Sequence, residues 1–404
     1  MGEEDWVRMP VGLDAGRWLT RETTRTVLVA VHTVVAGQRL LDVLDLLESD
    51  PRIQVVFTAA PDVFDGAVPR LLAEIGAVRI PWQQAVRERF DLALAGAYGG
   101  LARLHAPVLV LPHGAGYGKR TPTAPGSQVV PSDVYGLGRE QLIADGRLVP
   151  ASIVLSHESQ RDLLAAQCPA ALPAAVVAGD PCYDRLRASL ARREAYRTAL
   201  GVGEDQQLVV AASTWGRDGL FGQSPELIAG LPQAVDPRRY RVAALFHPAV
   251  WAHGPRQLRA WLAEARAAGL LLIDPMIDWR GVIVAADHVI GDHGSITTYA
   301  ASIGRGVLHL TAPGLDLAPG SAQAYVRAHA PRWDPDAPVA DQLRRTARSD
   351  LAPAVRARLT SRPGRAHRII RRAMYQLLEL SEPATSPAAK AVQPPVIAGE
   401  RHHG

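Results

Sequence analysis

The hydrophobic and polar positions along the chain predict strands that alternate with helices. Thr26–Val35 is rich in Val and predicts a buried strand, and leucines recur at helical spacing through Gly37–Glu48. Alternation of this kind predicts parallel sheets with helices on both faces. Further strands are predicted at Ile53–Thr58, Phe90–Ala95, Pro107–Leu111 and Ser152–Leu155, and further helices at Gly66–Ile75 and Glu158–Gln167.

The same alternation begins again in the second half of the chain, which predicts an α/β protein of two doubly wound, Rossmann-like domains that face a central cleft. We expect a first domain over 25–172, a second over 173–350, and helices over 351–380 that pack back on the first domain. Residues 1–24 form a predicted N-terminal extension, and residues 381–404 are rich in Pro, Ala and Ser without a period, which predicts disorder. The predicted strands of the second half are Ala174–Ala178, Gln207–Ala212, Arg241–Phe246, Leu270–Ile273, Asp287–Ile290 and Gly306–Leu310, and the predicted helices are Pro225–Leu231, Pro255–Ala268, Ser295–Ile303 and Arg362–Leu380.

Length and composition agree with two soluble domains. With 404 residues, of which 48% are hydrophobic and 21% charged, the chain has neither the composition of a disordered protein nor that of a fibrous one. The longest apolar runs, such as Val27–Val31, have the length of a strand, so no membrane-spanning helix is expected. The N-terminus is acidic, unlike that of a secretory signal, so we expect a cytoplasmic protein. Cys168 and Cys182 are the two cysteines, which are too few for a disulfide framework or a Cys-based zinc site.

The positive charge is concentrated near the C-terminus. Residues 344–372 contain ten Arg and one acid, Asp350. Such a stretch suits a phosphate-bearing ligand, an anionic membrane or nucleic acid, and an exposed helix is the simpler explanation. We expect no nucleic-acid partner and no transmembrane segment, and we consider peripheral membrane contact through this stretch.

A glycine-rich segment follows the strand predicted at Pro107–Leu111. Gly114 and two further glycines allow the backbone to approach a ligand closely, and His113 at the strand end suits a general base near neutral pH. Lys119 and Arg120 add positive charge. The segment lacks the residue order of a P-loop, and a flexible surface loop is the alternative.

Two polar clusters follow the first strands of the second half. Ser213, Thr214 and Arg217 supply two hydroxyls and a guanidinium, which are suitable partners for phosphate oxygens. His247 stands at the end of the next strand and is held by the proline that follows it. A lone histidine at such a position is more often structural than catalytic. The interpretation of His247 as a functional residue therefore depends on the polar clusters near it.

A third cluster joins the strand Asp287–Ile290 to the helix Ser295–Ile303. Asp292, Gly294 and Ser295 place backbone N–H groups and a hydroxyl at a helix N-terminus, which is a ready anion site. Simple N-capping by Ser295 is the alternative. No array of histidines has metal-ligand spacing, and no G-x-S-x-G segment is present, so neither a metal site nor a nucleophilic serine is predicted.

Taken in order, these segments resemble the motifs of the CDP-glycerol glycerophosphotransferase family. The resemblance covers about residues 105–310, and each motif follows a predicted strand. The matching segments are Pro112-His113-Gly114 with Lys119, Gly179-Asp180-Pro181-Cys182-Tyr183-Asp184, Ser213-Thr214-Trp215-Gly216-Arg217-Asp218, His247-Pro248, and Gly291-Asp292-His293-Gly294-Ser295.

The resemblance implies the two-domain glycosyltransferase B architecture and a metal-independent transferase without a cofactor. It implies that His113 is the base for an acceptor hydroxyl and that His247 stabilises the leaving phosphate. Thr214, Arg217 and Ser295 would hold the diphosphate of a nucleotide-activated donor. The transferred group would be glycerophosphate or a sugar, because the chain departs from the family pattern on both the acceptor and the donor side.

Two other functions fit the same residues. A sugar glycosyltransferase or a UDP-N-acetylglucosamine 2-epimerase-like enzyme would suit the turn at Asp292, although the acidic cluster that an epimerase needs near its first strand is missing. A non-catalytic nucleotide-sugar-binding protein would tolerate the altered segment around His113. Release of CMP, release of a nucleoside diphosphate, or no turnover would separate these functions. If His113 is not the base, His32 is the first alternative.

Overall fold

The computed structural model describes residues 7, 24–62, 67–121, 133–252, 254–312, 316–347 and 350–396, so nearly all of the predicted N-terminal extension lies outside the described residues. The chain divides into two compact units. Unit 1 comprises the residues up to Asp184 together with Thr360–Ala389, and unit 2 comprises Arg185–Leu359 together with the residues from Lys390 onward. The division at 184/185 lies twelve residues after the predicted boundary, and 351–359 belongs to unit 2 rather than to the first domain.

Unit 1 is built on a parallel sheet. Its six described strands lie in the order β2-β1-β3-β4-β7-β8, and a separate two-stranded hairpin, β5-β6, precedes β7. The inner strand β1 is apolar almost throughout because helices cover both faces of such a sheet. The strands are β1 Arg25–Val31, β2 Ile53–Ala59, β3 Leu92–Ala95, β4 Val108–Val110, β5 Ile143–Ala144, β6 Arg147–Leu148, β7 Pro150–Leu155 and β8 Ala175–Val177. The α-helices of the first part of the chain are α1 Val34–Glu48, α2 Val68–Glu74, α3 Trp82–Ala85, α4 Arg139–Leu142, α5 Glu158–Gln167 and α6 Pro181–Ser189.

Unit 2 repeats the plan with five described parallel strands in the order β11-β10-β9-β12-β13. The strands are β9 Gln207–Ser213, β10 Tyr240–Phe246, β11 Leu271–Ile273, β12 His288–Gly291 and β13 Gly306–His309. The helices are α7 Arg193–Ala199, α8 Leu220–Gln223, α9 Pro225–Gly230, α10 Pro248–Trp251, α11 Pro255–Trp261, α12 Ala263–Ala267, α13 Trp279–Ala285, α14 Ser295–Ser302, α15 Ala322–His329, α16 Val339–Thr346 and α17 Ala352–Leu359. The predicted α/β class and the two doubly wound halves are confirmed.

The last helix, α18 Ala366–Leu377, returns to unit 1 and packs on α1. His367 Nε2 lies 3.0 Å from the carbonyl oxygen of Asp42, and the hydroxyl of Tyr375 donates to Asp50 at 2.7 Å. The helix begins four residues later than predicted, since the Pro-Gly pair at 363–364 precedes it.

The C-terminal segment differs from its prediction of disorder. It has no helix or strand up to residue 396, yet Val392 is 1% exposed. The amide of Val392 donates to Ser189 Oγ at 3.1 Å, and its carbonyl accepts from Tyr196 and Arg192 at 2.8 and 3.2 Å. A single buried side chain such as Val392 produces no periodic pattern of apolar residues, so the sequence pattern did not predict this packing. The predicted disorder of 397–404 falls outside the described residues.

Candidate functional site

Three neighbouring strands of unit 2 bring the polar clusters together. β9 pairs with β10 on one side and with β12 on the other. Ser213 lies opposite Phe246, and Ala212 lies opposite Gly291. The carboxyl ends of parallel strands meet at one edge of a sheet, so the segments that follow β9, β10 and β12 are adjacent there.

The carboxylate of Asp292 holds these segments together. It accepts from the amides of Thr214 at 2.8 Å, Leu220 at 2.7 Å and Gly294 at 2.8 Å. The side chain is 1% exposed. Its two oxygens therefore accept from backbone N–H groups of three segments, so Asp292 positions these segments, and direct contact with the donor stays a prediction.

Ser213 has a similar architectural function. Its hydroxyl donates to the carbonyl oxygen of Thr214 and accepts from the amide of Phe221, both at 2.8 Å. Thr214 itself is buried beside it. The sequence proposed both hydroxyls as donor ligands, whereas the structure uses that of Ser213 to fix the turn after β9.

The helix α14 begins at this edge without a side-chain cap. Gly294 is its N-cap residue and has extended backbone angles, and a glycine has no side chain to cap the first turn. A Cβ atom at position 294 would lie 3.0 Å from Asp292 Oδ1 and 3.4 Å from Thr214 Cβ, so glycine permits the close approach. Backbone N–H groups of a first helical turn have no intrahelical acceptor and favour an anion. Ser295 is half-buried at this turn.

His247 caps the short helix α10 through one ring nitrogen. Its Nδ1 accepts from the amide of Ala249 at 3.1 Å, which places the proton of the neutral ring on Nε2. The indole of Trp215, 47% exposed, lies with its ring centroid 6.4 Å from that of the imidazole. Arg217 is exposed on the same turn, and it forms no ion pair with another described residue. This edge of unit 2 therefore presents hydrogen-bond donors and positive charge.

In unit 1, His113 follows β4 and faces the end of β3. Its Nδ1 lies 2.9 Å from the carbonyl oxygen of Gly96. A carbonyl only accepts, so Nδ1 carries the proton and Nε2 keeps its lone pair. Burial lowers the pKa of His113 below its usual value; the hydrogen bond to Gly96 opposes this effect, and the positive charge of Lys119 adds to it. The ring is therefore neutral near pH 7, as a general base must be.

The glycine-rich segment after His113 is packed inward, unlike a flexible surface loop. Ala115 and Tyr117 are buried. Gly116 has φ +68°, and a Cβ atom there would lie 2.5 Å from Gln160 Nε2 and 2.8 Å from Ser156 Oγ. Only glycine fits both the left-handed backbone and the space.

The basic pair of this segment lies on a short antiparallel bridge. Arg120 pairs with Val134, and the amide of Tyr135 donates to the carbonyl oxygen of Lys119 at 2.9 Å. The ring of Tyr135 stands edge-on to His113 with centroids 6.3 Å apart. Gly114 is half-buried between His113 and the packed residues.

His32, the alternative base, is unsuited to that role. Its side chain is 0% exposed, and Nε2 lies 2.7 Å from the carbonyl oxygen of Gly99. Burial lowers the pKa of this imidazole. This burial and the bond to Gly99 suit a structural residue, and the choice of His113 over His32 as the base stays a prediction.

Sequence reasoning missed the residues that orient His113. These are Gly96, through its carbonyl oxygen, and Tyr135, through its ring, and no sequence motif marks either of them as a neighbour of His113. Burial raises the pKa of Tyr135, and the negative charge of Asp62 adds to this effect; the same charge opposes the lowering of the His113 pKa by burial. A hint for Gly96 was available, since it follows the predicted strand Phe90–Ala95, which neighbours the strand that carries His113.

The segment Gly179–Asp184 is structural. Asp180 accepts from the amide of Tyr183 at 2.9 Å, at the start of α6. Asp184 accepts from the amides of Gly364 at 2.6 Å and Ala366 at 3.1 Å, at the start of α18. This segment therefore anchors the returning C-terminal helix in unit 1.

The basic stretch 344–372 is divided between the two units rather than forming one surface helix. Several of its arginines have partners: Arg362 pairs with Glu158 at 2.7 Å, Arg371 pairs with Glu382 at 3.0 Å, and Arg358 stacks 4.2 Å above the Tyr325 ring. Among the described residues, no helix is long and apolar enough to cross a membrane. Contact with a membrane surface stays a prediction.

Solved structures show the same fold in known proteins. The wall teichoic acid polymerase TagF aligns over 89% of this chain and 90% of its own, with a TM-score of 0.59 and 11% identity. A histidine-to-asparagine variant of TagF soaked with CDPG aligns over the same shares, with a TM-score of 0.58 and 12% identity. The S. aureus MnaA–UDP co-structure aligns over 90% of this chain and 99% of its own, with a TM-score of 0.52 and 12% identity.

The chain has the glycosyltransferase B fold. The resemblance drawn from the motifs is thus confirmed for the fold. No protein-family model matches the sequence, and no curated protein sequence is significantly similar to it. Within the glycosyltransferase B fold, the polar edge of unit 2 and His113 of unit 1 are the groups from which a function can be argued.

Proposed function

We propose that the protein is a transferase that moves glycerophosphate or a sugar from a nucleotide-diphosphate-activated donor to an acceptor hydroxyl. The observation that carries this proposal is the edge of unit 2, where His247 and Arg217 lie on turns next to the uncapped N-terminus of α14. Hydrogen-bond donors and a guanidinium converge there, and such groups suit a diphosphate.

The two histidines have opposite ring protonation, and their proposed functions differ accordingly. His113 has a basic Nε2, because its Nδ1 proton is held by Gly96. His247 has an Nε2–H, because its Nδ1 accepts from Ala249. A lone pair can take the proton of an acceptor hydroxyl, and an N–H can donate to a phosphate oxygen. The proposal assigns these two functions to His113 and His247.

The chemistry depends on the transferred group. For glycerophosphate, the acceptor oxygen attacks the phosphorus that carries glycerol, the bridging P–O bond breaks, and CMP leaves. For a sugar, the oxygen attacks the anomeric carbon and the nucleoside diphosphate leaves. In both reactions negative charge builds on the leaving phosphate, where Arg217, Ser295 and the α14 amides stabilise it. The TagF variant soaked with CDPG and the MnaA–UDP co-structure have this fold, and they support a donor of either nucleotide type, cytidine or uridine.

The donor site is tested by nucleotide binding to Ser295→Ala. Loss of one hydrogen bond to a charged group should weaken CDP or UDP affinity by about 1–3 kcal/mol. Ser302→Ala is the matched control, since Ser302 lies at the far end of α14 and its hydroxyl donates to the Tyr299 carbonyl. A thermal-shift screen of CDP, UDP, GDP and TDP selects the nucleotide, since a ligand at 100 times its Kd stabilises by about 2.7 kcal/mol. Equal affinities in wild type and Ser295→Ala would contradict the site.

A further inference from the structure

Unit 2 contains a second concave site, beside its edge strand β13. It is a cavity of about 740 Å³, formed by residues at the end of β13, the start of α9, helix α15 and the segment after it. None of the residues proposed to bind the donor lines it. Its size falls in the range of small-molecule pockets, about 300–1,000 Å³.

The walls of this cavity carry more positive than negative charge. Arg327 and Arg332 line it, and Glu226 is the one acidic residue among its lining residues. Arg327 donates to the carbonyl oxygen of Ala312 at 3.3 Å, which orients its guanidinium. Arg332 is exposed and has no acidic partner among the described residues. Two guanidinium groups in one cavity favour an anion with several oxygens, because each can form a two-pronged hydrogen bond.

His309 adds an imidazole to the wall of the cavity. Its side chain is 2% exposed, and it lines the cavity. Nδ1 lies 3.0 Å from Thr311 Oγ1. Burial and the charges of Arg327 and Arg332 lower the pKa of His309 to about 4, so the ring is neutral at pH 7. A neutral imidazole in the wall of the cavity can donate one hydrogen bond to an anion.

The rest of the cavity wall is apolar. Leu227, Leu310 and Trp333 line it together with Pro335. A free inorganic phosphate would fill a small part of the volume and would leave this surface uncovered. An anion that carries a planar or apolar body would satisfy both the charged and the apolar walls, with the indole of Trp333 available for stacking.

We propose that this cavity binds a phosphorylated small molecule with a planar or apolar body, at a site separate from the nucleotide donor. Arg327 and Arg332 hold the phosphate, and His309 donates to it from Nε2–H. The Thr311 hydroxyl donates to His309 Nδ1 and so fixes this tautomer, and Trp333 packs on the body. The phosphate belongs either to a free effector or to the acceptor of the transferase.

Phenyl phosphate is a suitable probe, measured by titration calorimetry and by Trp fluorescence. Arg332→Gln should weaken its binding by about 10-fold or more, since a charge-assisted hydrogen bond is lost. Arg332 is exposed, so its replacement spares the fold. Arg256→Gln removes an exposed arginine from α11, outside the cavity, and should change the affinity by no more than about twofold because solvent and salt screen distant charges. Trp333→Phe should abolish the fluorescence change.

The source of the phosphate is distinguished by kinetics. If it is part of the acceptor, Arg332→Gln raises the acceptor KM and leaves nucleotide affinity unchanged. If it is a free effector, phenyl phosphate changes the turnover of the wild type and not of Arg332→Gln. Either result supports the site. Equal phenyl phosphate affinity in wild type and Arg332→Gln, or no binding to the wild type, would overturn it. So would loss of binding in Ser295→Ala, which would place the probe in the donor site.

Discussion

The Nδ1 atom of His113 lies 2.9 Å from the carbonyl oxygen of Gly96, and this contact decides which ring nitrogen is basic. The proton stays on Nδ1, and Nε2 is left to accept one. The arrangement needs no carboxylate partner. The ring is therefore held in the tautomer of a base by the backbone at the end of a neighbouring strand.

His113→Ala should lower turnover by about 10²–10⁴-fold while nucleotide affinity stays near that of the wild type, because a general base acts in the chemical step. Wild-type turnover should rise with pH with a midpoint below 6.5, since burial lowers the pKa of His113. The residual turnover of His113→Ala should lack this rise. His105→Ala, an exposed histidine of the same unit, is the control. A variant that loses nucleotide binding and keeps the wild-type pH profile would show that His113 is not the base.

His247→Asn should weaken nucleotide binding and lower turnover without a loss of stability. The Asn side chain supplies an oxygen where Nδ1 caps Ala249, but it places no donor at the position of Nε2. His247→Ala loses the cap as well and should be less stable than His247→Asn by about 0.5–2 kcal/mol. Calorimetric binding of the selected nucleotide and urea unfolding measure the two effects separately. If His247→Asn binds the nucleotide normally, His247 is only a helix cap.

Asp292→Asn should destabilise unit 2 and weaken nucleotide binding together. The amide can replace one carboxylate oxygen and turns an N–H₂ group toward backbone N–H groups, so at least one hydrogen bond to Thr214, Leu220 or Gly294 is lost. We expect a loss of about 1.5–3 kcal/mol in the free energy of unfolding, the scale for bonds to a charged group. Asp218→Asn, at an exposed position of the turn after β9, should leave stability unchanged. Wild-type stability in Asp292→Asn would refute its positioning function.

Truncation after Ala389 should lower the melting temperature, whereas truncation after Val396 should not. The first truncation removes Val392, whose burial contributes about 1.5–3 kcal/mol, and its hydrogen bonds to Ser189 and Tyr196. The second removes none of the described contacts. Differential scanning calorimetry compares the two chains. Identical melting temperatures would mean that the segment contributes nothing to unit 2.

Stability should fall as the pH drops from about 6.5 toward 4. The folded protein holds the pKa of His309 at about 4, so between these values the unfolded chain binds a proton that the folded chain does not. His309 therefore contributes a loss of about 2 kcal/mol between pH 6.5 and 5. Urea unfolding in phosphate-free buffer measures it, and His309→Gln should show a shallower dependence. The lowered pKa values of His32, His288 and His367 act in the same direction. Parallel curves for wild type and His309→Gln would contradict the prediction.

The sequence was sufficient for most strands of the two parallel sheets and for the location of the polar clusters. The strand predicted at Thr26–Val35 ends at Val31, because Thr33 caps helix α1, and the short hairpin β5-β6 was not predicted. The buried strands of a doubly wound sheet are short apolar runs bounded by turn residues, so Gln207–Ser213 and Tyr240–Phe246 agree with their predictions within one residue at each end. His113 follows a strand of unit 1. His247 and Ser295 follow strands of unit 2, whose parallel sheet brings these two positions to one edge. Helix α13 was missed because all seven of its residues are buried, which removes the polar face that reveals a helix.

The functions of the polar residues could not be predicted, because they depend on partners distant in sequence. Asp292 and Ser213 have the chemistry of phosphate ligands, yet both bind backbone groups of neighbouring segments. His32 and His113 are both histidines that follow strands, yet His32 is buried and His113 is half-buried, a difference that no local pattern predicts. The cavity beside His309 is formed by segments that no local pattern connects.

The return of Thr360–Ala389 to unit 1 has a consequence for biosynthesis. A ribosome delivers the sheet of unit 1 first, then almost all of unit 2, and only afterwards the helix α18 that covers α1. The apolar face of α1 in unit 1 therefore stays uncovered while about 175 further residues, Arg185–Leu359, are synthesised. At about 5–20 residues per second this interval lasts roughly 10–35 s, during which the uncovered face is a target for chaperones or for misassembly between nascent chains.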